Sequence, residues 1–253
     1  MTPLEVITAL ALPPATRVNR RVPKKVLVDK GAPTASDKRQ INEGVEELLW
    51  IAMLKPAAVG VPEFRDDARE YLEIAVLSLS LRPAARASRL VELVHRAIPY
   101  PVVLLTSQAA ALSLSLAHKR RAQNDATRTV LEEDPVAVEL QDEAFASEIA
   151  RPFLDSVALD RLPGTSLHAL YQGWMDALGA LQIAAITGHY CPAQGAEHAA
   201  IRREALRECF RLENEIATLR ATASREKQIA RQVELNLEIK RLNTARDAAR
   251  ARL

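Results

Sequence analysis

Aromatic side chains make up only 4% of the 253 residues. A surface that reads single strands by stacking needs exposed rings for successive bases, so this scarcity argues against the RNA-recognition and single-strand-binding classes. Cysteine is as sparse. Cys191 and Cys209 give no disulfide framework and point to a reducing compartment. None of the eight glycines leads into Lys-Ser or Lys-Thr, so no phosphate-cradling loop is encoded. The serines and histidines form no nucleophile elbow. Long apolar runs are missing too. Leu4–Leu12 is short, contains Glu5 and has no basic lead, so it fails as a signal peptide, and no segment is long enough to span a bilayer. A cytoplasmic protein without a cofactor is expected.

What is present is a folded composition, 48% hydrophobic and 26% charged, with a net charge of +2 that hides segregation. Nine acids fall between Thr129 and Asp160 against the single base Arg151. The N-terminal arm is basic, and residues 199–253 hold thirteen bases and eight acids. Such blocks suit a phosphate backbone or an acidic protein, and equally suit plain solubility.

Residues 71–119 are the most legible. Leu72–Leu81 alternates with the period of a strand, Leu90, Val91, Leu93, Val94 and Ile98 recur with the period of a helix, and Val102–Leu105 and Leu112–Leu116 read as a tight hairpin. Upstream, Pro23 and Val26–Val28 predict a strand starting at Lys24 and Lys25. Ser36 or Asp37 is expected to cap a helix carrying Ile41, Val45, Leu48, Leu49, Ala52 and Met53. Downstream, Thr129–Leu131 and Val136–Leu140 read as one edge strand interrupted at Pro135. Residues 141–162 are an acidic connection, and Pro163–Ser166 starts an apolar helix ending near Gly188. Residues 199–253 contain neither Gly nor Pro, and two apolar seams meet around Ser224–Gln228. They predict a coiled coil or helical hairpin. The fold expected is α+β: a sheet of about five strands with flanking helices over residues 1–140, followed by an all-helical part.

Chemistry is harder to find. His189, Cys191, His198 and Cys209 are zinc-ligand types at irregular spacings, so no metal site is assigned. Asp66 and Asp67 are junction residues rather than a metal-binding pair. Glu238-Ile239-Lys240 has the acid-x-lysine spacing of a nuclease but lies on a helix, where the geometry is wrong. No catalytic residues are assigned. Two binding candidates remain. Lys24 and Lys25, with Lys119, Arg120 and Arg121, could converge on a phosphate-contacting patch. Leu212, Ile216, Leu219, Val233 and Leu237 could offer an apolar seam to a protein partner or a second copy.

Several stretches resemble one bacterial family, the domain of unknown function numbered 4391. They are Val18–Lys25, Ala97–Pro101, the strand end Lys119-Arg120, Leu167-His168-Ala169-Leu170-Tyr171, Arg225–Gln228 and Arg231–Asn236, in order along nearly the whole chain. What the resemblance implies is an association with helicase and DNA-methyltransferase genes in restriction-like antiviral defence clusters. It supplies no catalytic residues. The function expected is a non-catalytic accessory subunit of such a complex, with direct DNA or RNA binding as the alternative and a nuclease with dispersed ligands as the least favoured reading.

Overall fold

A capping box opens the chain: Thr2 Oγ1 accepts the Glu5 N–H while the Glu5 carboxylate accepts the Thr2 N–H, starting helix α1 (Pro3–Ala9). The computed structural model describes residues 1–123, 125–140 and 147–253, and these divide into two compact units, Met1–Leu181 and Gln182–Leu253.

In the first unit β1 (Arg17–Arg21) is followed by α2 (Lys24–Gly31), α3 (Ala35–Gly44), β2 (Val45–Leu54) and the short α4 (Pro56–Val59). A small hairpin, β3 (Phe64–Arg65) with β4 (Glu70–Tyr71), leads to β5 (Ile74–Leu81), α5 (Ala87–Ala97), β6 (Val102–Gln108) and β7 (Ala111–Leu116). Next come β8 (Lys119–Ala122), β9 (Asp125–Leu131), β10 (Val136–Glu139), α6 (Ser147–Ser156) and α7 (Leu167–Thr187). The main sheet has six strands in the order β1-β2-β5-β6-β7-β10, and β5 and β6 are its parallel pair. The protein is therefore α+β with a mixed sheet, as expected. No described helix is long and apolar enough to cross a membrane.

The centre follows its sequence closely. Parallel strands need a crossover rather than a hairpin, and α5 supplies it, burying Leu90, Val91, Leu93, Val94 and Ala97 against Ala75, Leu77 and Leu79 of β5. The β6–β7 turn has no glycine. Ala109 takes the left-handed conformation instead, at φ 51°.

Four expectations are corrected. Val26–Val28 belongs to helix α2, capped at Pro23, and not to a strand. A contiguous apolar triplet fits either period, and the burial of Leu27 and Gly31 four residues apart decided it. Val45–Met53 is strand β2, not helix, because α3 stops at Gly44. Register shifts between Val45 and Glu47 and between Trp50 and Ala52 offset the strand's period. The buried residues Val45, Leu48 and Ala52 consequently fall at spacings of three and four that mimic a helix. The cap of α3 is Thr34 rather than Ser36 or Asp37, and its Oγ1 accepts the Asp37 N–H. Finally, the interrupted edge strand is two strands in two sheets: β9 pairs with β8, and β10 pairs with β7.

Glycine is obligatory where α2 crosses α5. A Cβ on Gly31 would lie 2.7 Å from the Leu93 carbonyl oxygen and 2.8 Å from the Ala97 Cβ. Gly31→Ala should therefore cost about 1–3 kcal/mol by overpacking. Gly164→Ala, where nothing lies within 4 Å, should cost little by comparison. Urea unfolding of both variants checks this, and equal midpoints would contradict the close approach.

Candidate functional site

The second unit is built on α8 (Ala196–Ala223) and α9 (Ile229–Arg250), which pack as an antiparallel hairpin. On α8 the residues Ala205, Cys209, Leu212, Ile216, Leu219 and Ala223 recur at alternating spacings of four and three, and all but the half-buried Leu219 are buried. On α9 the matching residues are Leu235, Leu242 and Ala249, with Ile239 half-buried between them. Leu212, Ile216 and Leu242 form the centre of the seam, with Leu219 and Ile239 packed against it. Gln232 donates to the Ala223 carbonyl near the turn, and Arg250 pairs with Glu213 at 2.7 Å towards the other end. The exposed ion pair adds little. Apolar burial holds the hairpin.

One seam closes the hairpin and a second is left over. Ile229, Val233 and Leu237 follow at intervals of four, so they share one face of α9. They are 79%, 52% and 63% exposed. At 100° per residue this face lies opposite Leu235 and Ile239. The five seam residues named from sequence therefore separate. Leu212, Ile216 and Leu219 serve the hairpin's own core, while Val233 and Leu237 remain available. Lys240 and Arg241 extend the exposed face towards the C-terminal end of α9.

The basic candidates do not form one surface. Lys119 is 3% exposed, and its ammonium donates to the carbonyl oxygens of His95 (2.6 Å) and Ile98 at the C-terminal end of α5. That caps carbonyls which helix geometry leaves without partners, so Lys119 is not a surface contact as expected. Burial pushes its pKa down to about 7. Arg121 faces Glu70 at 3.6 Å, and Arg120 donates to the Arg121 carbonyl. Lys25 is exposed, and Lys24 donates to the Asn42 carbonyl. Both sit at the start of α2, whereas Asp29–Pro33 at its other end shares a cavity with Lys119. A helix of that length is about 10 Å long, which separates the two groups.

A cluster that sequence reasoning missed lies where α7 meets the end of β4 and the end of β7. His118 lies between Tyr71, whose hydroxyl meets Nδ1 at 2.5 Å, and Gln172, whose Oε1 meets Nε2 at 3.0 Å. An amide oxygen only accepts, so Nε2 carries the proton and Nδ1 accepts from the tyrosine. His168 stacks on Phe64 at 4.7 Å and meets the Tyr71 ring edge-on at 4.9 Å. Nearby, Arg69 is bound by Glu132, and the Asp66 carboxylate accepts the Ala68 and Arg69 N–H groups of its own turn. Burial, then the neighbouring His168, brings the His118 pKa down to about 4, and burial raises that of Tyr71. The hydrogen bonds of His118 to Tyr71 and Gln172, with the ring contacts of His168, lock α7 to the sheet. The sequence signal was the spacing of His168, Tyr171 and Gln172 on one face of α7, but nothing in it pointed to His118.

The zinc-ligand types do not converge. Cys191 is exposed, Cys209 is buried in the hairpin seam, and His198 Nδ1 accepts the Gln194 N–H. Among the described residues no group of three or more His, Cys, Asp or Glu is arranged to hold a metal ion. Of the acids counted between Thr129 and Asp160, Asp142 and Glu143 lie outside the described residues.

A family model described as Domain of unknown function (DUF4391) matches residues 10–245. No curated protein and no solved structure matches the chain.

Leu212→Ala should destabilise the hairpin by about 2–4 kcal/mol, whereas Leu237→Ser should change stability by less than about 0.5 kcal/mol. Chemical denaturation of the two variants reads this directly. For His118 the sign is also fixed. The unfolded residue takes a proton near 6.5 and the folded one only near 4, so stability falls as pH is lowered through that window. His95, which burial holds near 3, adds to the same loss. The midpoint of thermal unfolding should drop from pH 6.5 to 4, and His118→Gln should make the drop shallower.

Proposed function

The chain belongs to the Domain of unknown function (DUF4391) family, and from that premise we propose that it is a non-catalytic accessory subunit whose C-terminal helices form a coiled-coil handle for a protein partner. The observation that carries this reading is the second stripe on α9. Ile229, Val233 and Leu237 are large, aligned and solvent-facing, although the hairpin's own seam is already filled by Leu212, Ile216, Leu235 and Leu242. Each exposed side chain of this size offers about 1.5–3 kcal/mol on burial. An amphipathic helix laid along the stripe could meet all three at intervals of four. Lys240 and Arg241 at the end of the stripe favour an acidic flank on that helix. The partner class follows from the family resemblance: a helicase or DNA methyltransferase acting on nucleic acid in a bacterial defence or restriction-like complex. The burial of Lys119, with Lys24 and Lys25 at the other end of α2, weighs against the single exposed backbone-contacting patch expected of Lys24, Lys25, Lys119, Arg120 and Arg121.

Coexpression with the products of the flanking genes, followed by affinity purification, tests the reading. The full chain should recover a partner, and the Val233→Asp, Leu237→Asp double variant should lose at least tenfold of it while folding normally by circular dichroism. Undiminished recovery by the folded double variant would refute docking through α9.

A further inference from the structure

The first unit contains a cavity of about 640 Å³, open to solvent and walled by the end of α2, the end of α5 and the β8–β9 ladder. Its size lies within the ~300–1,000 Å³ common for small-molecule sites. The walls carry four cationic side chains, Lys30, Arg96, Lys119 and Arg128, against one acid, Asp29. Arg96 is answered by Glu92 at 2.7 Å. Lys30 and Arg128 are exposed and have no ion-pair partner among the described residues. Lys119 differs from both, because it is buried and still has no carboxylate partner among the described residues. Its only acceptors among the described residues are the two main-chain oxygens of His95 and Ile98, which engage two of its three N–H donors. A buried cation without a counter-charge is costly to maintain.

His95 adds a second irregularity on the same wall. Its Nε2 meets Ser115 Oγ at 3.0 Å, but its Nδ1 is buried without a hydrogen-bond partner. Buried polar atoms are nearly always satisfied, so this wall carries an unmet polar atom as well as an unanswered charge. The negative end of the α5 dipole would normally repel an anion. Here Lys119 covers two of the α5 end carbonyls, so that repulsion is reduced.

We propose that this cavity receives a phosphoryl group, carried either by a free nucleotide or by the terminal phosphate of a nucleic acid. A carboxylate would bring a single charge and two oxygens to the exposed Lys30 and Arg128 and the buried Lys119 ammonium. A phosphoryl group brings up to two charges and three acceptor oxygens, enough to engage the exposed Lys30 and Arg128 together, with the buried Lys119 ammonium adding positive charge from the wall. Lys119 thus has two tasks in one place: it closes the end of α5 and holds positive charge at the cavity wall. The inference is independent of the docking stripe, since it uses no residue of the C-terminal hairpin.

The test uses the full chain with adenosine diphosphate, citrate and a twelve-nucleotide single strand with or without a 5′-phosphate, all at matched ionic strength. Adenosine diphosphate should raise the thermal midpoint in a saturable way and bind by calorimetry. The Lys30→Gln, Arg128→Gln double variant, altered only at exposed positions, should bind at least tenfold more weakly while keeping the wild-type midpoint without ligand. Competition by the 5′-phosphorylated strand but not by its unphosphorylated twin would identify a nucleic-acid end as the source. No competition by either would identify the free nucleotide. The proposal is overturned if adenosine diphosphate gives no saturable shift, if citrate binds as tightly, or if the double variant binds like the wild type. Lys119→Met is left out because loss of the α5 cap could unfold the unit.

Discussion

Two parallel neighbours in a sheet cannot be joined by a tight turn, and the pairing of β5 with β6 obliges the chain to lay α5 across the sheet between them. Most of the first unit is then arranged around fixing that helix. Its underside buries Leu90, Leu93 and Val94 on β5. Near its start, Arg89 grips the buried Asp37 of α3 through two parallel hydrogen bonds of 2.8 and 3.0 Å, which hold the Asp37 carboxyl down to about 2. Its flank is crossed by α2 so closely that only Gly31 fits. Its last carbonyls receive Lys119 from β8. Four elements thus converge on one helix, each through a different kind of contact.

This convergence explains why the basic residues of the sequence do not make one patch. Lys119 is spent on the end of α5, Arg121 faces Glu70, and Arg69 is bound by Glu132. Lys30 and Arg128, which have no ion-pair partner among the described residues, stand instead around the cavity beside Lys119. A similar economy holds on α7, where Tyr171 donates to the Val102 carbonyl and accepts the Ala117 N–H, so that a tyrosine deep in the core carries no loose polar atom. Trp174 donates to the Val157 carbonyl for the same reason.

The C-terminal unit follows simpler rules. Its hairpin needs one apolar seam, and α9 has two. A helix whose residues alternate between two apolar faces has more hydrophobic surface than one neighbour can cover, and the face with Ile229, Val233 and Leu237 stays solvent-facing. The polar stretch Ser224–Gln228, where α8 ends and α9 begins, fixes which of the two seams turns inward.

Much of this was determined by sequence alone. The crossover of β5, α5 and β6, the start of α7 at Ser166, its end before Gly188 and the break between α8 and α9 all rest on local periodicity and capping, which neighbours in the chain decide. What periodicity could not settle was anything displaced by long-range pairing. Strand β2 carries register shifts that disguise its alternation as a helix, and α2 is helical because α5 accepts it at Gly31. Strands β9 and β10 part into different sheets because their partners, β8 and β7, are already separated. The candidate sites divide along the same line. The stripe on α9 could be read because residues four apart on a helix must share a face. The fate of Lys119, the tautomer of His118 and the charge around the cavity depended on groups tens of residues away, and only their meeting in the folded chain decided them.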